Sequence, residues 1–438
     1  MGETPCKSKA SMKTCLVVTA RFPPQGGVGV QRVTKFVKYM PSYGWRPIVV
    51  TTPPGSTREV QDPSLLTELP PDLPVHRPFH YDYRKITRGE IAKWLSPLQD
   101  RYLFPDRHKP WNFFAQRTIR RLLREHRVDL LFFNLSPFST LAMVPSLRRE
   151  FDGPIVLTLR DPFSFNMYMD KKDTERAVAL EKQAFSCSDS ILCVTPFVVG
   201  RYRSLFPQIE KRFHFLPNGF DSDDLKNLNL EASGQDGTFT IGYNGSVSPV
   251  ETLRPILVAL HRIWVQERIP IHLSVASKDR LEEVTARFPP AAQAGLIRFH
   301  GFLPHRESLE RLSRCHALLL TLVDSPATEG VYPAKVFEYM AMNKPILLLN
   351  RKTSDLANLI QHTRTGIVWN IDDEEEIVAG VLNLYRQWRD GGVPHDPDQD
   401  RINRFDYANL TRELVDHFER VLRLRKAAST STGGPAGS

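Results

Sequence analysis

The chain alternates short apolar runs with stretches of helical periodicity almost from end to end. "TCLVVTA" (14–20) predicts a strand, "RFPPQGGVGV" the loop after it, and "QRVTKFVKYMPSYG" a helix ending at Gly44. Apolar runs at 46–52, 129–135, 154–161 and 188–195 predict four more strands in the first half. Strands that alternate with helices build βα units, and βα units build a parallel sheet. Between 216 and 237 the periodicity lapses into Asn, Asp, Gly and Ser, which reads as an interdomain linker. A second α/β series follows, with strands at 238–245, 271–277, 297–303, 317–323 and 345–350 and a helix at 254–268. The segment 404–425 predicts a last amphipathic helix.

At 438 residues the chain is too long for one ordinary core. The expected organisation is α/β, with two Rossmann-like domains facing each other across a cleft. Its parts are a disordered N-terminus at 1–12, a first domain at 13–220, a linker at 221–237 and a second domain at 238–402. A C-terminal helix at 403–425 crosses back to the first domain, and 426–438 is a disordered tail. In open α/β sheets ligands bind at the carboxyl ends of the strands, so the loops there are the places to look for chemistry.

Composition narrows the class. Apolar residues make up 41% of the chain and charged ones 24%, as in soluble globular proteins. No run approaches the roughly 18 apolar residues of a membrane span, and "MGETPCKSKASMK" has no apolar signal core, so the expected location is the cytoplasm. Five scattered cysteines without a CxxC fit small core residues in a reducing compartment. Lys and Arg exceed Asp and Glu by 9, a balance that favours an anionic lipid surface or phosphorylated substrates. No zinc finger, RNP aromatic motif or Lys/Arg tract supports nucleic acid.

Several residue groups then stand out. Gly26, Gly27 and Gly29 sit between the first strand and first helix, where backbone amides can approach a phosphate or sugar. The string reads Gly27-x-Gly29-x-x-Arg32 and lacks the third glycine of the dinucleotide fingerprint. Arg160 and Asp161 close a buried strand, where they either line a cleft or pair to hold their loop. Two D-x-D strings, Asp221–Asp223 and Asp396–Asp398, lie in linker-like sequence and read as solvated loop acids, so no metal is expected. The segment 109–127 carries Trp111, Phe114, Ile119, Leu122 and Leu123 against Arg117, Arg120, Arg121, Arg124 and Arg127. It is either a helix lying on an anionic membrane or an ordinary domain helix with a wet basic face.

The most specific stretch is "YPAKVFEYMAMNKPILLLN", with Lys335 and Glu338 three apart at the start of a helix. With "FPPQGGVGVQRVTKFVKYMPSYGWRPIVVTT" and "LPNGFD", it makes the chain from about 13 to 425 resemble glycosyltransferase family 4, of the GT-B fold. The resemblance implies retaining transfer of a sugar from a nucleotide diphosphate to an acceptor hydroxyl, with the acceptor on the first domain and the nucleotide sugar on the second. It gives Glu338 the ribose hydroxyls and Lys335 the diphosphate, and places Tyr332, Gly245, Ser246 and Arg254 around the donor. Gly26, Gly27, Gly29 and Arg160 fall to the acceptor and phosphate loop, and Asp161 to orienting the acceptor hydroxyl. The donor is a co-substrate; no cofactor and no metal are implied.

The chain also departs from the family pattern. Gly330 stands where the first of the family's two glutamates is expected, with Glu329 one position away, and Ser246 stands where arginine is common. The implied partners are a nucleotide sugar, a sugar-bearing or lipid-linked acceptor and an anionic membrane surface on its inner face. A nucleotide-sugar epimerase of the same architecture and a non-catalytic sugar- or lipid-binding relative remain as alternatives.

Overall fold

The computed structural model describes residues 12–56, 61–80, 82, 103–135, 137–165, 169–226, 228, 237–247, 253–282, 285, 288–322, 328 and 330–431. The chain forms two compact units, Met1–Pro217 together with Tyr407–Ser438, and Asn218–Asp406.

The first unit is built on seven parallel strands: β1 (Lys13–Val18), β2 (Trp45–Val50), β3 (Val75–His76), β4 (Leu130–Leu135), β5 (Ile155–Leu159), β6 (Ser190–Cys193) and β7 (Phe213–Phe215). Their order in the sheet is β3-β2-β1-β4-β5-β6-β7. Side chains alternate between faces, so Leu16 and Val18 enter one core cluster while Cys15 and Val17 enter the other, all fully buried. A strand buried on both faces reads as a continuous apolar run, which makes β1, β2, β4, β5 and β6 legible.

One face is covered by Trp111, Ile119 and Leu122 of the helix Trp111–Glu125 and by Ala184 and Phe185 of the helix Lys171–Ser186. The other is covered by Phe36 of the helix Val28–Tyr39 and by Leu410, Leu414 and Phe418 of the C-terminal helix. After Tyr39 the chain tightens into a 3₁₀ turn that Gly44 ends in the left-handed region, at φ 78°.

The second unit has six parallel strands: β8 (Thr240–Asn244), β9 (His272–Ala276), β10 (Ile297–Phe299), β11 (Ala317–Thr321), β12 (Ile346–Leu349) and β13 (Gly366–Trp369), in the order β10-β9-β8-β11-β12-β13. Leu347 and Leu349 face the helices Arg254–Glu267 and Glu374–Arg389, while Ile346 and Leu348 face Lys335–Ala341 and Asp355–Thr363.

Three strands are additional to those expected, β3, β7 and β13; each has four residues or fewer. Other differences concern boundaries. The first unit closes at Pro217 rather than 220, and the last helix runs Tyr407–Ser431, past the expected end at 425. Within the expected linker, Ser222–Leu225 forms one helical turn. Of the stretches expected to be disordered, 1–12 and 426–438, residues 426–431 are helical, while 1–11 and 432–438 lie outside the described residues.

The helix at 111–125 departs from its expected apolar face. Trp111, Ile119 and Leu122 are core residues, but Phe114 is 36% exposed, because at 100° per residue it lies about 60° from Trp111 on the side away from Ile119 and Leu122. The buried side therefore belongs to the domain core and is not free to enter a bilayer.

The C-terminal helix carries a buried polar contact into the sheet. His417 Nε2 lies 2.7 Å from Ser190 Oγ of β6, with the His214 ring edge-on at 4.6 Å. Burial, with His214 and Arg420 nearby, pushes the His417 imidazole down to about 3, and burial lowers His214 too. The unfolded chain takes up these protons near the ordinary value of about 6.5, and the folded chain resists them. Stability is thus complete above about pH 6.5 and falls as pH drops toward 3, by about 1.4 kcal/mol per pH unit for one such group. Thermal unfolding from pH 7 to 4 is expected to show a shallower fall for His417→Gln than for the native chain. Parallel curves would remove His417 from this role.

Candidate functional site

In the second unit the site is built at the carboxyl end of β8. The strand ends at Asn244, and Gly245 follows with φ 147°, a conformation that side chains with a Cβ rarely adopt. A Cβ there would also lie 2.8 Å from Lys335 Nζ. Lys335 Nζ donates to the Asn244 carbonyl at 3.1 Å and stands 4.3 Å over the Tyr243 ring. Tyr243 is held by donating its hydroxyl to the Ser246 carbonyl at 2.6 Å, and the Asn244 amide donates to the Tyr339 hydroxyl at 3.1 Å. The lysine is thereby seated against a glycine that leaves room for it. Burial pushes its ammonium down to about 8, while Glu338 pulls the other way.

Glu338 sits one turn on, in the helix Lys335–Ala341, with Oε1 3.0 Å from His305 Nε2. His305 opens the helix His305–Ser313 and follows the exposed Phe302 by three positions. Neither was singled out from the sequence; a histidine after Pro304 carries no motif, and its contact with Glu338 spans 33 positions.

The remaining expected donor residues are distributed differently. Ser246 donates to Asp279 at 2.7 Å, and the Val247 amide reaches the same oxygen at 2.6 Å. The hydroxyl from Ser246, first among its hydrogen bonds, holds the Asp279 carboxyl below its ordinary range. Ser246 therefore pins its own loop and supplies no positive charge in place of the arginine. Tyr332 places its hydroxyl 3.4 Å from the Asp355 carbonyl and its ring against Phe337, at 6.2 Å between centroids. Arg254 begins the helix Arg254–Glu267 and is exposed. Glu329 lies outside the described residues.

In the first unit Gly27, at φ 92°, is the N-cap of the helix Val28–Tyr39. Gly26 has no such conformational demand. Gly29 is a close-approach glycine: a Cβ would meet Arg160 Nη1 at 2.8 Å and Arg21 Nη1 at 3.4 Å. Two guanidinium groups thus lie over the first turn of this helix. Arg160 Nε also pairs with Asp161 Oδ2 at 3.1 Å, and the Asp161 carboxylate is half-exposed. Of the two readings of this pair, the structure bears out the ion pair within the loop, with the Asp161 carboxylate open to solvent.

The loop that carries Asp161 is anchored from below by Glu181. Its carboxylate accepts from the Ser164 amide at 3.2 Å and from the Tyr202 hydroxyl at 2.5 Å, while the Phe163 amide donates to Tyr202 at 3.0 Å. Burial raises the Glu181 carboxyl to about 7, against the hydrogen bonds it accepts. Arg32, which takes the place of the third fingerprint glycine, is buried. It donates to the Pro217 carbonyl, to the Leu216 carbonyl at 2.9 Å and toward Thr158 at 3.5 Å. It is a structural tie in this fold.

The D-x-D acids require a correction. Asp221 is buried and caps the turn Ser222–Leu225 by accepting from the Asp223 amide, and Asp398 caps Gln399–Asn403 in the same way. Asp223 and Asp396 match the expected solvated acids: Asp223 is exposed beside Lys226 at 2.5 Å, and Asp396 is 94% exposed with Arg364 3.5 Å away.

The glycosyltransferase family 4 model matches residues 26–224, and the glycosyl transferases group 1 model matches 238–387. A probable glycosyltransferase, WbjE of Pseudomonas aeruginosa, is 22% identical over 326 residues, 68% of this chain and 78% of its own. Among solved structures, the sucrose-phosphate synthase of Thermosynechococcus elongatus aligns with a TM-score of 0.63 at 11% identity, over 94% of this chain and 100% of its own. The UDP-GlcNAc 2-epimerase of Methanocaldococcus jannaschii aligns at 0.55 and 12%, over 93% and 100%. Such structural likeness shows the fold alone, because one architecture hosts both activities; the sequence matches separate them. The chain belongs to the GT-B glycosyltransferases, with a family 4 first unit and a group 1 second unit. It is a glycosyltransferase enzyme.

Gly245→Ala tests the seat of Lys335. Forcing a Cβ into a positive-φ position costs about 1 kcal/mol or more, and here it also displaces the ammonium. The expected result is a small drop in melting temperature with a larger loss of nucleotide-sugar affinity by titration. Unchanged affinity would separate Gly245 from the donor site.

Proposed function

We propose that this enzyme moves a hexose-like sugar from a nucleotide diphosphate to an acceptor hydroxyl with retention of configuration, in glycan, polysaccharide or glycolipid synthesis. The observation that carries the reading is the pairing of two charges on one turn: Lys335 seated over Gly245, and Glu338 held at one oxygen by His305. A carboxylate fixed at one oxygen keeps lone pairs for two vicinal hydroxyls, as a ribose presents. An ammonium partly stripped of water gains most when a diphosphate restores its charge partner.

The same preorganised charge serves the reaction as the leaving diphosphate becomes more negative. The leaving group itself acts as base on the acceptor, with Asp161 orienting the acceptor hydroxyl. The acceptor is sugar-bearing or lipid-linked. No helix among the described residues is long and apolar enough to cross a membrane, and peripheral attachment to an anionic inner leaflet is part of the proposal. A metal has no part in the step.

Transfer in the presence of acceptor, with release of nucleoside diphosphate and an α- or β-linkage matching the donor by NMR, is the direct test. Conversion of the nucleotide sugar to its epimer without acceptor would overturn the reading. Glu338→Ala is expected to lose about 1.5–3 kcal/mol of donor binding with the fold intact. Normal turnover at low donor concentration would remove the ribose assignment.

Excess EDTA should leave turnover unchanged; loss on chelation and recovery with Mn²⁺ would refute metal independence. Donor affinity should also carry a pH signature. Lys335 titrates near 8 in the free protein, and a bound diphosphate raises that value, so affinity is level below about pH 8 and falls above it. Lys335→Met should bind more weakly and without that alkaline fall.

A further inference from the structure

We infer that the exposed face of the helix Trp111–Glu125, together with Phe79, is a docking surface for an anionic lipid bilayer; this rests on the peripheral attachment proposed above and names where it occurs. Three phenylalanines meet there from two segments. Phe79 is 63% exposed, Phe113 55% and Phe114 36%. Their rings stack edge to face, Phe79 on Phe114 and Phe113 on Phe114, each at 5.3 Å between centroids. Single exposed phenylalanines need no explanation, but a contiguous aromatic cluster in water does.

The cluster is continuous with positive charge. At 100° per residue, Phe113, Arg117, Arg120, Arg121 and Arg124 fall on one side of the helix, opposite the buried Trp111, Ala115, Ile119 and Leu122. Segment 111–127 holds five arginines and one acidic residue, Glu125. Not all five charges are available. Arg120 Nε lies 2.9 Å from both carboxylate oxygens of Glu150, and Arg121 is 3.7 Å from Glu125. Arg117 stands 4.2 Å over the Phe113 ring, and neither it nor Arg124 makes an ion pair among the described residues. Exposed rings beside uncommitted guanidinium groups match a bilayer surface, where the rings enter the acyl boundary and the cations meet phosphate.

The opposite face of this helix is locked into the core, so the surface acts as a fixed patch and needs no unfolding. A cluster of three rings is small for a stable protein interface, which buries about 800 Å² per partner. Insertion of a few rings assisted by charge needs no such area. A lipid surface is therefore the better occupant than an acidic protein.

Sedimentation with phosphatidylcholine vesicles containing phosphatidylglycerol tests this on the full chain. At low salt the native protein should bind, and Arg117→Gln/Arg124→Gln should bind about thirtyfold more weakly, taking roughly one kcal/mol per arginine. Raising the salt should weaken the native protein and barely affect that variant. Phe113→Ser/Phe114→Ser should lose the binding that persists at high salt. Both variants change exposed side chains, and unchanged transfer to a soluble acceptor will show that they fold. If the native protein binds vesicles and both variants match it, this surface is wrong while peripheral attachment stands. If the native protein ignores anionic vesicles, both fall, and an acidic protein partner becomes the reading of the patch. Absence of transfer to any acceptor with vesicle binding intact would instead count against the enzymatic proposal.

Discussion

Every strand pairing in both sheets is parallel, and that constraint governs the rest of the molecule. Parallel strands need both faces covered and return through long connections, so polar loops collect at the two ends of each sheet. Buried side chains then anchor those loops. At the amino ends, Arg148 donates to the carbonyls of Phe151, Gly153 and Cys187 and pairs with Asp189 at 2.6 Å. At the carboxyl ends of the first unit, Arg32 and Glu181 hold chain segments by their backbone groups.

The second unit uses the same device. Lys335 is bound to the Asn244 carbonyl as a loop anchor would be, yet burial lowers its affinity for a proton. A structural lysine satisfied by a full ion pair would be pushed the other way. Its ammonium has a carbonyl and the face of the Tyr243 ring beside it, in the room that Gly245 leaves. Glu338 is likewise half committed, with His305 on one oxygen. These contacts hold both side chains without exhausting their charges, which is what the proposed stabilisation of a leaving diphosphate requires.

Comparison with the sequence reading shows where local pattern suffices. Buried strands of five or six residues such as "LLFFNL" and "ALLLT" were visible because continuous burial writes itself as continuous apolarity. β3 and β7 escape because two or three edge residues carry no period, and β13 has four residues, begins with a glycine and buries only Trp369. Phe114 falls in the same apolar set as Trp111, Ile119 and Leu122 when the sequence is counted, and only the packed helix shows that it lies off the buried side. Asp221 looked like solvated linker sequence, but an aspartate before a helical turn is also a cap, and only its burial decided between them.

The sequence by itself determined the two α/β series, the glycine loop before the first helix and the Lys335–Glu338 turn. Each of these is a local matter of apolar period, backbone freedom or spacing along one helix. Tertiary structure alone decided what those charges meet. His305 reaches Glu338 across 33 positions, Arg32 reaches Leu216 across 184, and Gly29 is small because Arg160, far along the chain, lies against it. Such contacts arise when parallel strands bring distant loops to one end of a sheet, and no local pattern records which side chains will face each other there.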